Sequence, residues 1–358
     1  MTDQEALEFL KQLVRHRSDS RDHGAQRELQ TRIVDRLKTT IQRLRIRQGS
    51  DEDYPWTLIT TGPSADPMLL FACHLDTVPV GDPGQWAHPP FSGHIDGARI
   101  YGRGTVDMKG GIAAAATALA LASDLNKHVG LLLTADEEVG SLGAPDAAGS
   151  LIGQRIGAVI IPEATDNKIV LGHRGALWLR VRSDGLAAHG STPDLGINAA
   201  LKISAVLLRA QHELPLTGDS FLGAESWNPG ILAAGSAANI VPDSAEAVID
   251  MRVVGNGSAL LNWWKAQPEI ASVETILSLV PLRTTDTAPL STGDTEVNRN
   301  PAPYFTDGSA LAQALPGVPI VIWGPGTSDQ MHARDESLEL QSLFMALRHF
   351  RGAVADWN

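Results

Sequence analysis

Three apolar runs in the first half of the chain predict buried β-strands. Stretches of helical length and pattern separate these runs, which span residues 67–73, 129–134 and 158–161. Near-continuous apolar strands that alternate with helices are typical of an α/β sheet covered on both faces. His74 follows the first run, Glu137 and Glu138 follow the second, and Glu163 follows the third. Because ligands of such sheets bind outside the carboxyl ends of the strands, we expect these side chains to share one site.

A different pattern begins near residue 174. The predicted elements are a strand at 175–183, a helix at 197–212, strands at 230–235 and 245–254, a helix at 258–266 and a strand at 273–280. This β-α-β-β-α-β order is typical of a ferredoxin-like α+β domain. The α/β pattern then resumes at 310–315 and 319–323 and ends in a helix predicted to start at Ser337.

The pattern therefore predicts two domains, as expected for a chain of 358 residues. Residues 1–173 and 284–358 would form an α/β domain with its sheet between helices. Residues 174–283 would form an inserted domain. With 43% hydrophobic and 20% charged residues, the composition excludes a disordered chain and a coiled coil.

The net charge of −12 makes nucleic acid a poor partner for the whole chain. One stretch, residues 11–47, is basic, with eleven Lys or Arg against four acids. Leu29, Ile33 and Leu37 recur there at helical spacing, which places the charges on the solvent face of a helix. Because no aromatic residue alternates with these charges, we predict no nucleic-acid partner.

The cysteine content and the hydropathy pattern indicate the cellular compartment of the protein. The lone Cys73 excludes an intramolecular disulfide and a cysteine-based zinc site, and indicates a reducing compartment. The apolar run at 111–122 is too short to span a bilayer and predicts a buried helix. The first residues are acidic and lack the pattern of a secretory signal. We therefore expect a cytoplasmic protein with no membrane partner.

Three segments carry candidate chemistry. In His74-Leu75-Asp76, residues two apart on an extended strand face the same way, so Asp76 can hold one imidazole nitrogen while the other binds a metal. The glycine-dense segment 101–111 presents Asp107 at the start of the apolar helix. Residues 136–138 crowd three acids at a strand end, where their repulsion favours a bound cation. Taken singly, these segments also fit a structural histidine, a flexible loop and a solvated acidic turn.

Taken together, and in this order along the chain, the motifs resemble the family of di-zinc peptidases and deacylases known as peptidase family M20. That family contains acetylornithine deacetylase, succinyl-diaminopimelate desuccinylase, aminoacylase and glutamate carboxypeptidase. The segments that carry the resemblance are His74-Leu75-Asp76-Thr77-Val78-Pro79, residues 102–111, Asp136-Glu137-Glu138, Pro162-Glu163-Ala164-Thr165, Ala188-His189-Gly190 and Gln330-Met331-His332.

The resemblance implies a site with two Zn²⁺ ions, which Co²⁺ can replace. Asp107 would bridge them; the remaining ligands would be His74 and Glu163 for one ion, and Glu138 and His332 for the other. Nitrogen and carboxylate ligands of this kind suit zinc or cobalt. The resemblance also implies that Glu137 is the general base and that the peptide bond after Asp107 is cis.

The resemblance implies that residues 1–173 and 284–358 form the catalytic domain, with a mixed sheet between helices. It also implies that the inserted domain acts as a lid and dimerisation domain. The resemblance gives His189 the role of binding the oxyanion across a homodimer, in the partner's cleft. It assigns Asn239, Arg252 and Gly326 to the pocket for the substrate's α-carboxylate, although Arg252 also fits a structural salt bridge.

The sequence therefore predicts a metal-dependent amide hydrolase that acts on small N-acyl-L-amino acids in the manner of acetylornithine deacetylase. Activity like that of succinyl-diaminopimelate desuccinylase, or dipeptidase or carboxypeptidase activity, is an alternative because the same centre serves all of them. A non-catalytic metal-binding protein is an alternative of another class.

Overall fold

The computed structural model describes residues 1–49, 53–285, 287, 290 and 295–357. They divide into two compact units. The first contains Met1–Gly172, Leu282–Ala302 and Thr306–Asn358, and the second contains His173–Pro281 and Pro303–Phe305. The first unit is thus discontinuous in sequence, and the breaks lie next to the predicted boundaries at residues 174 and 283.

Helices and strands are numbered here in chain order. The helices are α1 (Asp3–Arg15), α2 (His23–Thr40), α3 (Gly110–Asp124), α4 (Ala144–Gly149), α5 (Ala199–Glu213), α6 (Ser258–Lys265), α7 (Gly308–Ala314) and α8 (Leu340–Asp356). The strands are β1 (Arg45–Gln48), β2 (Thr57–Thr61), β3 (Met68–His74), β4 (His94–Asp96), β5 (Arg99–Tyr101), β6 (Val129–Thr134), β7 (Ile156–Ile161), β8 (Ile169–Val170), β9 (Gly172–His173), β10 (Gly175–Asp184), β11 (Gly218–Asp219), β12 (Gly223–Ala224), β13 (Ser226–Ala234), β14 (Ser244–Val253), β15 (Ser272–Leu279), β16 (Leu282–Arg283), β17 (Val297–Asn298), β18 (Ile320–Ile322) and β19 (Ser337–Glu339).

The first unit is built on a mixed sheet with the strand order β1-β2-β6-β3-β7-β18-β8-β17. β3 lies between β6 and β7 and is parallel to both, whereas β2 is antiparallel to β6. Every residue of β3 and β6 is buried, so both faces of the sheet centre are covered. α3, rich in alanine and buried almost all round, packs against α1 and α8, and α4 packs against α7. The predicted α/β fold is confirmed.

The register of the strands gathers their carboxyl ends. His74, the last residue of β3, pairs with Thr134, the last residue of β6. The segment 136–138 therefore lies at the same edge of the sheet as His74. β7 runs parallel to β3 and is followed there by Glu163.

One predicted boundary differs from the structure. The sequence predicts a terminal helix from Ser337, but Ser337–Glu339 form β19 and pair with β5, and the helix starts at Leu340. Residues 337–339 are extended because they pair with β5 and because the Arg99 side chain donates to Ser337 O. These partners lie more than 230 positions away, so no local sequence pattern predicts them.

The second unit contains a four-stranded antiparallel sheet of order β13-β14-β10-β15 with α5 and α6. Its chain order, with a short β11-β12 pair added, follows the β-α-β-β-α-β prediction. Its core comprises Leu177, Leu179, Val181, Ile203, Val206, Ile249, Met251 and Trp264, among others. Within the described parts of both units, no helix is long and apolar enough to cross a membrane.

Candidate metal centre

Two groups of side chains with the chemistry of metal ligands meet at the carboxyl ends of β3, β6 and β7. His74, Asp107 and Glu163 form the first group, and Asp107, Glu138 and His332 form the second. Within each group the ligand atoms lie within 4.8 Å of one another. Asp107 belongs to both, and the structure thus brings together all five side chains predicted to bind metal.

In the first group, His74 Nε2 lies 3.0 Å from Asp107 Oδ1 and 2.9 Å from Glu163 Oε1. The three side chains are almost completely buried. Burial and the charge of Asp107 raise the pKa of Glu163 to about 7. Burial alone would lower the pKa of His74, but the carboxylates of Glu163, Asp107 and Asp76 hold it well above its usual range.

In the second group, His332 Nε2 lies 2.7 Å from Glu138 Oε2 and 3.3 Å from Asp107 Oδ2. Hydrogen bonds to Asp107 and Glu138 raise the pKa of His332 to about 10. Burial and the charge of Asp107 raise the pKa of Glu138 to about 7. His332 is half-exposed, so the second group is the more accessible of the two to solvent.

The backbone around Asp107 is held by the buried carboxylate of Glu336, a residue that the sequence analysis did not single out. Glu336 Oε1 accepts hydrogen bonds from the backbone N–H groups of Val106 and Asp107, at 2.7 and 3.1 Å. Glu336 Oε2 accepts from Gly104 N and from the guanidinium of Arg103, at 2.9 and 2.8 Å. The Asp107–Met108 peptide bond is cis, as the family resemblance implies.

Asp76 differs in detail from its predicted role. His74 Nδ1 lies 3.0 Å from the backbone carbonyl of Asp76 and 3.5 Å from its carboxylate. The carboxylate instead accepts hydrogen bonds from the backbone N–H groups of Glu137 and Glu138, at 3.0 and 3.2 Å. Asp76 thus orients His74 through its carbonyl and the two glutamates through its side chain.

The ligand atoms of these side chains fit a pair of divalent cations. Glu137 Oε1, Glu138 Oε1 and Glu163 Oε2 are buried and have no hydrogen-bond partner among the residues that the structure describes. Buried carboxylates without partners are costly unless a cation compensates them. Two imidazoles and three carboxylates match the ligand preference of zinc and cobalt, and no thiolate is required.

Glu137 lies beside these groups, and its surroundings keep its pKa high. Burial raises the pKa of Glu137 well above its usual range, and the charge of Asp307 adds to this effect. Asp307, which the sequence analysis also missed, is buried, and its own pKa is raised by burial to about 6. Thr134 Oγ1 donates a hydrogen bond to Asp307 Oδ2 at 2.5 Å.

The remaining predicted site residues do not belong to the two ligand groups. His189, Asn239 and Arg252 belong to the second unit, where Gly190 N donates to Asn239 O at 2.7 Å. Arg252 pairs with Asp250 at 3.1 Å. This is a structural salt bridge of the kind that the sequence analysis gave as the alternative role of Arg252. Gly326, in the first unit, has φ +84°, and a Cβ there would lie 2.8 Å from Val106.

The neighbouring thiol is structural. Cys73 is buried on the strand that ends in His74. Burial raises the pKa of this thiol well above its usual value, which keeps it protonated and unreactive.

Comparisons with known proteins agree with this geometry. The chain is 30% identical over 259 residues to a succinyl-diaminopimelate desuccinylase of Methylobacillus flagellatus, covering 69% of this chain and 68% of the relative. It is 31% identical over 318 residues to a probable carboxypeptidase of Aspergillus clavatus, covering 81% of this chain and 74% of the relative. A crystal structure of an M20 family metallo-carboxypeptidase from Sulfolobus solfataricus has the same fold, with a TM-score of 0.82, 20% identity and 98% of each chain covered.

A family model matches nearly the whole chain. The model of peptidase family M20/M25/M40 covers residues 70–356, which include the five candidate ligands and Glu137. Proteins of this family are metal-dependent amide hydrolases with a dinuclear metal site. This chain is a member of peptidase family M20/M25/M40.

Proposed function

We propose that this chain hydrolyses the amide bond of small N-acyl-L-amino acids and that acetylornithine-like substrates are the preferred ones. The observation that carries this proposal is the pair of ligand groups sharing Asp107, with the free carboxylate oxygen of Glu137 beside them. When bound, two Zn²⁺ ions supply positive charge that polarises the scissile carbonyl and acidifies water. The five ligands His74, Asp107, Glu138, Glu163 and His332 would hold them.

Glu137 is the proposed general base. It is buried, its backbone is anchored by Asp76, and its Oε1 has no hydrogen-bond partner in the described structure. A carboxylate with a raised pKa is a stronger base, so it can accept a proton from water and return it to the departing amine. Glu138, one residue on, is engaged with His332 and is therefore the ligand rather than the base.

His189 is the proposed oxyanion donor. The backbone N–H of Ser191 donates to His189 Nδ1 at 3.1 Å, so Nδ1 acts as an acceptor and the neutral ring carries its proton on Nε2. The side chain is exposed, which leaves Nε2–H free to reach a carbonyl oxygen that develops negative charge. We propose that this contact is made in the partner's cleft of a homodimer.

The second unit supports self-association by two exposed apolar features. Leu201 and Leu208, on one face of α5, are 69% and 63% exposed. Ile231 and Leu232, on the edge strand β13, are 58% and 55% exposed. An open strand edge is a template for pairing with another chain, and exposed apolar side chains on α5 add area for a second copy to bury.

Substrate class is tested on the purified protein loaded with Zn²⁺ or Co²⁺. A panel of N-acetyl amino acids, N-succinyl amino acids and dipeptides is assayed before chelation, after chelation and after metal is restored. We expect N-acetyl amino acids to be cleaved fastest, with loss of activity on chelation, because the proposed mechanism needs the metals to polarise the carbonyl and to acidify water.

The other outcomes separate the alternatives. Preference for N-succinyl substrates or dipeptides would favour a desuccinylase or a peptidase, which the named relatives support. Two bound metals without turnover of any substrate would favour a non-catalytic metal-binding protein. Full activity after exhaustive chelation would contradict the mechanism.

A further inference from the structure

The segment between α1 and α2 contacts three of the five segments that carry candidate metal ligands, namely those of His74, Asp107 and Glu138. We call residues 16–22 the connector. They lie in the basic stretch for which the proposed function gives no role, and before the residues that the family model matches. The contacts of the connector are made by its backbone and by small polar side chains.

The connector pairs with the loop that follows β3. Thr77 N donates to Ser18 O at 2.9 Å, and Ser20 N donates to Thr77 O at 3.1 Å. Asp19 and Thr77 thereby form a parallel β-bridge. Ser18 Oγ also donates to Leu75 O at 2.8 Å. These bonds attach the connector to the residues on either side of Asp76.

Ser20 extends this attachment to the glutamates. Its hydroxyl donates to Asp76 Oδ2 at 2.8 Å. The same carboxylate accepts the backbone N–H groups of Glu137 and Glu138. Because Asp76 is fully buried, the direction of its carboxylate depends on these three donors. A hydrogen-bonded path of two steps therefore joins Ser20 to both glutamates.

The other two loops are held in a similar way. Lys109, buried two residues after Asp107, donates from Nζ to His16 O at 2.9 Å. Asp136, buried one residue before Glu137, accepts from Arg21 N at 2.7 Å. At the start of α2, Gln26 adds a hydrogen bond to Asp136 at 2.8 Å.

We propose that the connector is a positioning element of the metal centre, and that Ser20 is the positioning residue through which it orients Glu137 and Glu138. The proposal rests on the proposed function for the roles of the two glutamates. Partners that hydrogen-bond a ligand directly typically contribute 10- to 100-fold to metal affinity or activity. Ser20 acts one hydrogen bond further out, through Asp76, so we expect an effect at the lower end of that range.

The test compares Ser20→Thr with Ser20→Val, two variants of nearly equal shape that differ in the hydroxyl group. We expect Ser20→Val to lower kcat about tenfold with KM within twofold, and to weaken Co²⁺ binding about tenfold in competition with a chelator. Ser20→Thr should stay within about twofold of the unmodified protein in both measurements. Ser150→Ala, which removes a hydrogen bond from a hydroxyl to the backbone carbonyl of Ala147 outside the connector, should lower Tm and leave kcat unchanged.

Equal kcat and equal Co²⁺ affinity for the Thr and Val variants would overturn the proposal. If the Val variant does not fold, Ser20→Ala removes the hydroxyl without added volume and takes its place in the comparison. If the unmodified protein cleaves no substrate of the panel, the proposed function fails, but Co²⁺ affinity still decides whether Ser20 positions the ligands.

Discussion

Two adjacent acids, Glu137 and Glu138, have different surroundings and should respond differently to substitution. Glu137→Gln should keep metal content near that of the unmodified protein and lower kcat by about 10²–10⁴, the range for loss of a general base. Glu138→Gln should lower metal occupancy, because it removes a charge from the group that contains His332. Metal content is measured after dialysis, and kcat is measured with metal in excess.

The same pair of variants can contradict these assignments. Equal loss of metal from both would mean that Glu137 is a ligand and not the base. Full retention of turnover by Glu137→Gln would mean that another group moves the proton.

At the scale of single residues, the side chains that directly follow apolar strands were predictable. His74, Glu138 and Glu163 all lie at or just after the end of a run that reads as a buried strand. Glu336 and Asp307 were not predictable in this way. Their partners are backbone N–H groups or a hydroxyl more than 170 positions away, and no spacing in the sequence records such contacts.

At the scale of elements, the loop that carries Asp107 depends on one buried ion pair. Glu336→Gln keeps the shape of the side chain, but an NH₂ group replaces one acceptor oxygen and cannot accept from the N–H groups that face it. The substitution also leaves the buried Arg103 without its counter-charge. Removing one partner of a buried pair typically costs about 3–5 kcal/mol. We therefore expect a lower free energy of unfolding in urea and weaker metal binding.

Glu339→Gln is the matched control for this variant. Glu339 pairs with Arg99 at 2.7 Å, but 60% of the Glu339 side chain is exposed. Exposed pairs contribute about 0–1 kcal/mol, so the control should unfold almost as the unmodified protein does. Equal destabilisation by the two variants would show that the hydrogen bonds of Glu336 are not what holds the loop.

The elements themselves were largely predictable where one periodicity covers a whole segment. β6 spans Val129–Thr134, the run that the hydropathy pattern predicts. β10 and β14, which alternate between buried and more exposed residues, coincide closely with the strands predicted at 175–183 and 245–254. Short strands such as β8 and β19 were not predictable, because two or three residues carry no periodicity and depend on their partner strands.

At the scale of the whole molecule, the proposed dimer can be tested by complementation. His189→Ala alone should lower the maximal rate by about 10²–10³, the usual effect of losing one oxyanion donor, with metals retained. Glu137→Gln and His189→Ala subunits are each inactive, but a mixed dimer has one cleft in which both residues are intact. Activity should therefore return when the two variants are mixed under conditions of subunit exchange.

Formation of mixed dimers is followed independently with two affinity tags. If tagged hybrids form and no activity returns, His189 acts within its own subunit or has no part in catalysis. A protein that remains monomeric at assay concentration and is fully active would also rule out a contribution from a partner.

The insertion of the second unit into the first sets the order in which a newly made chain acquires its parts. On the ribosome, His173–Pro281 is complete before residues 306–357 are translated, and domains fold as units while synthesis continues. At that moment the nascent chain holds four of the five ligands and lacks both His332 and the carboxylate of Glu336 that orders the Asp107 loop. The second ligand group, and the Glu336 carboxylate that holds the Asp107 loop, are therefore completed late, only after residues 332 and 336 have been translated.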